Sequence, residues 1–143
     1  MSKLLVLQGL PASGKSTYAK QLLADLPAGY ALRINNDDLA TSMFGSAFGG
    51  GANTAQLLGK LRADLVRLAF RNGYKLVILD NTNLTAKGIK SLERLAESCG
   101  VEFELDNSFL SVPVAECLRR NALRQNPVPE KVILEMARLV RND

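Results

Sequence analysis

An eight-residue segment near the N-terminus, Gly9-Leu10-Pro11-Ala12-Ser13-Gly14-Lys15-Ser16, constrains the fold of this chain more than any other feature. It matches the pattern GxxxxGK[ST] and stands between a short apolar run at residues 3–8 and a stretch with apolar residues at helical spacing. In that context, glycines let backbone N–H groups turn toward a phosphate, and the start of the helix adds positive potential. We therefore expect a loop that binds the phosphates of a nucleotide.

The side chains of this segment predict both a donor and a metal. Lys15 is expected to reach the β- and γ-phosphates of ATP or another NTP, and Ser16 to present its hydroxyl to Mg²⁺. The residues expected to contact the nucleotide here are Gly9, Pro11, Ala12, Ser13, Gly14, Lys15, Ser16 and Thr17.

Apolar runs alternate with helical patterns along the rest of the chain. Strands are expected within residues 3–8, 30–34, 76–79 and 101–110, with helices between them and two more after Pro113 and Pro129. This alternation predicts an α/β fold of the P-loop NTPase type, with a mostly parallel sheet of about four strands and helices on both faces. Residues 44–53 contain four glycines and predict a mobile loop. The leucines expected to face inward on the helix after it are Leu57, Leu58, Leu61, Leu65 and Leu68.

Size and composition narrow the possible classes of protein. A chain of 143 residues with 47% hydrophobic residues is expected to form one domain spanning residues 1–143. Two cysteines and no histidine argue against a zinc or CxxC redox site. The start of the sequence does not read as a leader and no run is long enough to cross a bilayer, so a cytoplasmic location is expected. The net charge of +4 suits an anionic partner.

Three aspartates follow predicted strands, where ligands of open α/β sheets bind. Asp80 ends the third strand and is expected to join the Mg²⁺ shell through water, although it could instead cap the following turn. Asp37 and Asp38 follow the second strand, and one of them could accept the proton of an attacking hydroxyl. Both could instead be solvated residues at a helix start, which for Asp38 is the preferred interpretation.

Two arginines suggest a further part of the site. Arg120 and Arg124 have i, i+4 spacing, so on one helix both guanidinium groups would project from the same face. Such a pair suits the charge that develops on a transferring phosphoryl group. The alternative is a solvated basic helix face.

Taken together, these segments resemble the kinase domain of the phage and bacterial polynucleotide kinases, within the small P-loop kinases that include zeta-type toxins. The matching segments are GLPASGKST from Gly9, INNDD from Ile34, DNTNL from Asp80 and RRNALRQNPVP from Arg119. The resemblance implies four parallel strands, a general base at Asp37, and a lid over the ATP phosphates that carries Arg120 and Arg124. It also implies that Asp80, Asn81, Thr82 and Asn83 line the phosphate site, with Asp38, Thr82 and Asn83 as candidates for the acceptor side.

The sequence also departs from the family pattern. Members usually carry an arginine three residues after the catalytic aspartate, where this chain has Ala40, and the loop at residues 44–53 is usually more basic. If the acceptor is a polynucleotide, its phosphates need other cations, for which Lys60, Arg67 and Arg71 are candidates, and Ala40→Arg should improve phosphorylation. No phosphatase segment follows the kinase pattern within these 143 residues.

The leading prediction is transfer of the γ-phosphate to the 5′-hydroxyl of DNA or RNA in a bacterial or phage-infected cell. Two alternatives stay open. One is a kinase of a small-molecule acceptor, which Ala40 favours, and the other is a non-catalytic nucleotide switch.

Overall fold

A four-stranded parallel sheet is the centre of the fold. The computed structural model describes residues 1–47 and 49–141. The strands are β1 (Lys3–Leu7), β2 (Ala31–Ile34), β3 (Leu76–Leu79) and β4 (Glu102–Asp106), in the order β2-β3-β1-β4. Leu4 of β1 lies opposite Val77 of β3 and Phe103 of β4, so all strands end at the same edge. The predicted α/β class and the number and direction of the strands are confirmed.

Helices cover both faces of the sheet. They are α1 (Lys15–Asp25), α2 (Asn36–Phe44), α3 (Thr54–Arg71), α4 (Ala86–Ser98), α5 (Val114–Ala122) and α6 (Glu130–Arg141), with a 3-10 turn at Ser108–Ser111. Polar caps set two of the starts, since Asn35 accepts a hydrogen bond from the N–H of Asp38 and Thr85 accepts one from Gly88. No helix among the described residues is long and apolar enough to cross a membrane.

Three apolar clusters hold the layers together. The largest lies between the sheet and helices α3 and α4, where Leu4, Val77 and Leu79 are fully buried. A second joins the opposite face of the sheet to Ala19 of α1. The third lies around Cys117 of α5 and Ala137 of α6, and it includes Leu10 and Leu84 from the loops at the carboxyl edge. Helices α5 and α6 therefore pack directly behind the loops that follow β1 and β3.

The buried stripe of α3 differs from the predicted one. Leu57 and Leu68 are nearly half exposed, whereas Leu58, Val66 and Ala69 are buried. The buried positions are eight and three residues apart, a spacing that places them on one helix face. This face packs on the core cluster of the sheet, and Leu57 and Leu68 lie off it, so the expectation that they point inward is wrong.

The glycine-rich segment after α2 also needs a correction at its start. Phe44 belongs to α2, and Gly45 ends that helix with a φ of +85°. The structure describes no regular element from there to Thr54, while Phe48 lies outside the described residues. The mobility of this loop remains a prediction. Residues 142–143 of the predicted single domain also lie outside the described residues.

Ala40 lies on the inward face of α2, where its exposed fraction is only 1%. A longer side chain there would begin inside the core and not in the cleft. The burial of Ala40 therefore removes the basis for expecting that Ala40→Arg improves phosphorylation.

We expect Ala40→Arg to lower the free energy of unfolding by about 2 to 4 kcal/mol, because it overpacks a filled position and brings an unpaired charge near the core. Urea unfolding followed by circular dichroism measures the change. Ser42→Arg adds the same side chain at an exposed position of the same helix and should stay within about 0.5 kcal/mol of the parent. Equal stability of the two variants would contradict the assigned burial.

Candidate active site

Backbone geometry explains the glycines of the loop between β1 and α1. Gly14 has a φ of +105°, which side chains rarely adopt. At Gly9, an added Cβ would lie 2.7 Å from the Cβ of Phe109 and 2.8 Å from Oγ of Ser13, so no larger residue fits. Helix α1 has no side-chain cap at its start. Its first N–H groups are therefore available to an anion.

The side chain of Lys15 is held by the backbone of this loop at the inner wall of the site. Lys15 is 5% exposed, and its Nζ donates to the carbonyls of Gly9 (2.8 Å) and Leu10 (2.7 Å), with Oγ of Ser13 at 3.4 Å. Burial lowers the pKa of Lys15 to about 8, against the opposing effect of the Asp80 charge. A phosphate would replace the carbonyls as a stronger partner for this ammonium group.

A cleft of about 920 Å³ opens in front of the loop. The predicted site residues that line it are Pro11, Ala12, Gly14, Lys15, Ser16, Thr17, Asp37, Asp80, Asn81, Thr82, Arg120 and Arg124. The structure thus brings segments from four parts of the chain to one cavity. Its volume is in the range of pockets that hold nucleotide-sized ligands.

Asp80 is fully enclosed at the edge of the sheet. Its Oδ2 accepts a hydrogen bond from Nε of Arg33 (2.5 Å), and its Oδ1 accepts one from Nδ2 of Asn35 (2.6 Å). The alternative of a cap for the following turn has no support here, since no backbone N–H of the described residues donates to Asp80. Asp80 and Ser16 line the same cleft, as oxygen ligands of a magnesium ion must.

Asp37 is the carboxylate on α2 that faces the cleft. Partial exclusion of water raises the pKa of this carboxyl, and the neighbouring charge of Asp38 raises it further, while Arg124 and Lys15 act in the opposite direction. A carboxylate with a raised pKa is a stronger proton acceptor.

Four predicted site residues lie outside the lining of this cleft. Gly9 and Ser13 form the inner side of the loop. Asp38 pairs with Nη1 of Arg33 at 2.6 Å and lines a separate apolar cleft beside β2. The side-chain amide of Asn83 donates to the carbonyls of Leu7 and Asn81, so it ties the β3 loop to the end of β1.

The two arginines line the cleft, but they do not lie on one helix as predicted. Helix α5 ends at Ala122 and Leu123 caps it, so Arg124 lies beyond the helix that carries Arg120. The prediction that both arginines project from one helix is therefore wrong. Arg120 is held by Glu116 at 2.9 Å, and its Nη1 would lie 3.7 Å from a Cβ at Gly14. Hydrogen bonds from Arg119 and Arg120 lower the pKa of Glu116 to about 2.

Two residues of the site were not predicted from the sequence. Arg33 and Glu116 have no motif signal, since their partners depend on how the strands and helices come together. Asn36 and Asn81, which lie in two of the segments that carry the resemblance, show a different feature. The backbone N–H of Asn36 donates to Oδ1 of Asn81, while Oδ1 of Asn36 and Nδ2 of Asn81 are buried and have no partner among the described residues. Such orphaned atoms beside Asp37 suit a ligand that supplies their hydrogen bonds.

Known proteins with similar sequences or folds were compared with this chain. A family model described as AAA domain, AAA_33, matches residues 4–142. The L-seryl-tRNA(Sec) kinase of Methanococcus maripaludis is 27% identical over 134 residues, which cover 93% of this chain and 50% of that protein. The chain thus spans about half the length of this curated relative.

The fold is also similar to that of solved structures, including the following two. The structure of the Pnkp1/Rnl/Hen1 RNA repair complex has a TM-score of 0.79 at 20% identity, covering 99% of this chain and 44% of that one. Kti12 of Chaetomium thermophilum, solved in complex with ADP-AlF3, has a TM-score of 0.66 at 21% identity, covering 95% and 79%. At these identities the likeness establishes the fold of a P-loop kinase.

Proposed function

We propose that this chain, which belongs to the AAA_33 family of AAA domains and has a P-loop kinase fold, transfers the γ-phosphate of ATP to the 5′-hydroxyl of DNA or RNA. The observation that carries the proposal is the position of Asp37 in the same cleft as Lys15 and Ser16. A proton acceptor and a phosphate-binding loop in one cavity are the two parts that transfer to a hydroxyl requires.

Each residue has a role in this reaction. Asp37 accepts the proton of the 5′-hydroxyl as its oxygen forms the new bond to the γ-phosphorus, and the bond to the β-phosphate oxygen breaks to release ADP. Lys15 and the N–H groups of the loop hold the β- and γ-phosphates. Arg120 and Arg124, which line the same cleft, stabilise charge on the transferring group.

The residues present fit a magnesium ion bound beside the nucleotide phosphates. Ser16 offers a hydroxyl and Asp80 a carboxylate that can act through water. Within the described part of the chain, no group of three or more acidic, histidine or cysteine side chains could hold a metal alone. When bound, Mg²⁺ would neutralise charge on the β- and γ-phosphate oxygens.

Two similarities support a nucleic acid as acceptor. One solved structure with this fold is part of an RNA repair complex, and the curated relative is a kinase of an aminoacylated tRNA by its name. Exposed cations on α3, Lys60, Arg67 and Arg71, could contact backbone phosphates. In the structure, Arg67 already pairs with the exposed Asp64 at 3.1 Å, which is a weak interaction that a phosphate could replace.

A small-molecule acceptor is the second candidate, and one observation favours it. Polynucleotide kinases usually carry an arginine at the position of Ala40, which is buried here. Helix α2 therefore presents no cation of its own for a phosphate next to the acceptor hydroxyl. A small acceptor without such a phosphate would not need that contact.

We expect γ-labelled ATP to label 5′-hydroxyl DNA or RNA oligonucleotides in a panel that also contains nucleosides, sugars and L-serine. Oligonucleotides of the same sequence that already carry a 5′-phosphate are the matched control and should stay unlabelled. Raising the salt concentration should weaken oligonucleotide binding, by about one unit of log–log slope for each phosphate contact. Label in a small acceptor alone would replace the polynucleotide proposal, and release of inorganic phosphate alone would contradict both candidates.

A further inference from the structure

Arg33 of β2 connects three groups of the candidate active site. Its Nε donates to Oδ2 of Asp80 at 2.5 Å, its Nη1 donates to Oδ2 of Asp38 at 2.6 Å, and its Nη2 lies 3.4 Å from Oγ of Ser16. The side chain of Arg33 is 13% exposed and that of Asp80 is 0% exposed. The guanidinium group therefore lies between the loop serine and the buried carboxylate.

This is the space that a divalent cation would need. Under the proposed function, Ser16 and Asp80 are the two side chains that hold magnesium, and Arg33 already supplies a positive charge to both. Two cations at such short range in a partly buried site repel each other strongly, because little water screens them. A metal ion without phosphates would bring nothing to offset that repulsion.

Arg33 also has a second partner that it can keep. Asp38 is far more exposed than Asp80, with 64% of its side chain accessible, and lies on α2 next to Asp37. The guanidinium group could therefore release Asp80 and stay paired with Asp38. Nucleotide phosphates would supply the negative charge that lets a metal ion and Arg33 coexist in the cleft.

We propose that Arg33 is a positioning residue that holds the cation position between Ser16 and Asp80 in the nucleotide-free protein, so that divalent metal binds only together with nucleotide. The inference rests on the proposed function for the identity of the metal-binding side chains. It adds an order of events: free metal is excluded, and the metal–nucleotide complex is admitted.

The test is binding of Mn²⁺ to the nucleotide-free chain, followed by the electron paramagnetic resonance signal of free Mn²⁺. Without nucleotide, the parent should show no saturable Mn²⁺ site that depends on Ser16. When ADP is added, the parent should gain a saturable Mn²⁺ site, and Ser16→Ala should remove it. Arg33→Gln should bind Mn²⁺ without nucleotide at least about tenfold more tightly than the parent, because the competing charge is gone. Arg33→Lys keeps the charge and should behave as the parent does.

Arg94→Gln is the matched control, since it removes one arginine charge from an exposed position on α4. It should bind Mn²⁺ as the parent does. A site in the nucleotide-free parent that Ser16→Ala removes would overturn the proposal. Unchanged Mn²⁺ binding in folded Arg33→Gln would overturn it equally.

Loss of Arg33 leaves the buried Asp80 without a cation, so Arg33→Gln could fail to fold. A measurement on the parent then decides, using the ¹⁵N resonance of the Arg33 Nε–H, assigned by its loss in Arg33→Lys. Mg²⁺ with ADP should shift this resonance and Mg²⁺ alone should not. A shift with Mg²⁺ alone would contradict the proposal. None of these measurements needs an acceptor or transfer, so their outcome is independent of whether the panel identifies a polynucleotide.

Discussion

Lys15→Met is expected to lower the rate of phosphate transfer by at least roughly 10²- to 10³-fold. The ammonium group is the only lysine charge in the lining of the described cleft. Methionine keeps much of the buried volume and removes the charge. Initial rates with γ-labelled ATP measure the loss, and Lys20→Met, at an exposed position of the same helix, should leave the rate unchanged.

The same variant tests what the buried charge of Lys15 costs in folding free energy. Because burial lowers the pKa of Lys15 from 10.5 to about 8, holding it charged costs about 3 kcal/mol of folding free energy. The unfolded chain binds more protons than the folded one between those values, so this group makes the parent more stable as the pH rises from about 8 to 10.5. Lys15→Met should lack that part of the rise in urea unfolding. Near-parental transfer by the folded variant would show that the loop does not carry the catalysis.

Asp37→Asn is expected to lower turnover by about 10²- to 10⁴-fold while ATP binding remains measurable. Asparagine has nearly the same size and cannot accept the proton from the acceptor hydroxyl. Asp38→Asn is the matched control at the next residue. Asp38→Asn should lower turnover much less, because Asp38 is mostly exposed and forms an ion pair with Arg33. Asp38 does not line the cleft that contains Lys15 and Ser16.

The pH dependence gives an independent check on Asp37. A general base works only when deprotonated, and the pKa of Asp37 is raised, so turnover should fall as the pH drops through that raised value. The acid limb should disappear from the residual activity of Asp37→Asn and persist in Asp38→Asn. Equal losses in both variants, or loss of the limb only in Asp38→Asn, would reassign the base.

Local sequence was sufficient for the parts of the site that depend on neighbouring residues. The bonds from Lys15 to the carbonyls of Gly9 and Leu10 span only six and five residues, and the positive φ of Gly14 is a local requirement of the turn into α1. Strand ends in a parallel sheet meet at one edge, so the positions of Asp37 and Asp80 in one cleft also followed from the alternation of strands and helices.

The end of α5 and the buried face of α3 were less predictable. The spacing of Arg120 and Arg124 fits one helix, yet α5 ends between them at Ala122. On α3, the leucine pattern placed two outward residues on the buried stripe, because burial was decided by which face of the helix packs against the sheet. Both errors come from tertiary packing, which a periodic pattern does not include.

The sequence by itself determined the phosphate-binding loop, the α/β class and the residues that end β2 and β3, because these depend on backbone conformation and on the period of apolar residues. Only the tertiary structure decided that Arg33 pairs with Asp80, 47 residues away in the chain, that Asn83 bonds to the end of β1 and that Ala40 is buried. Those outcomes depend on which side chains two distant segments bring within hydrogen-bond distance. That distance is set by the packing of the whole sheet and its helices.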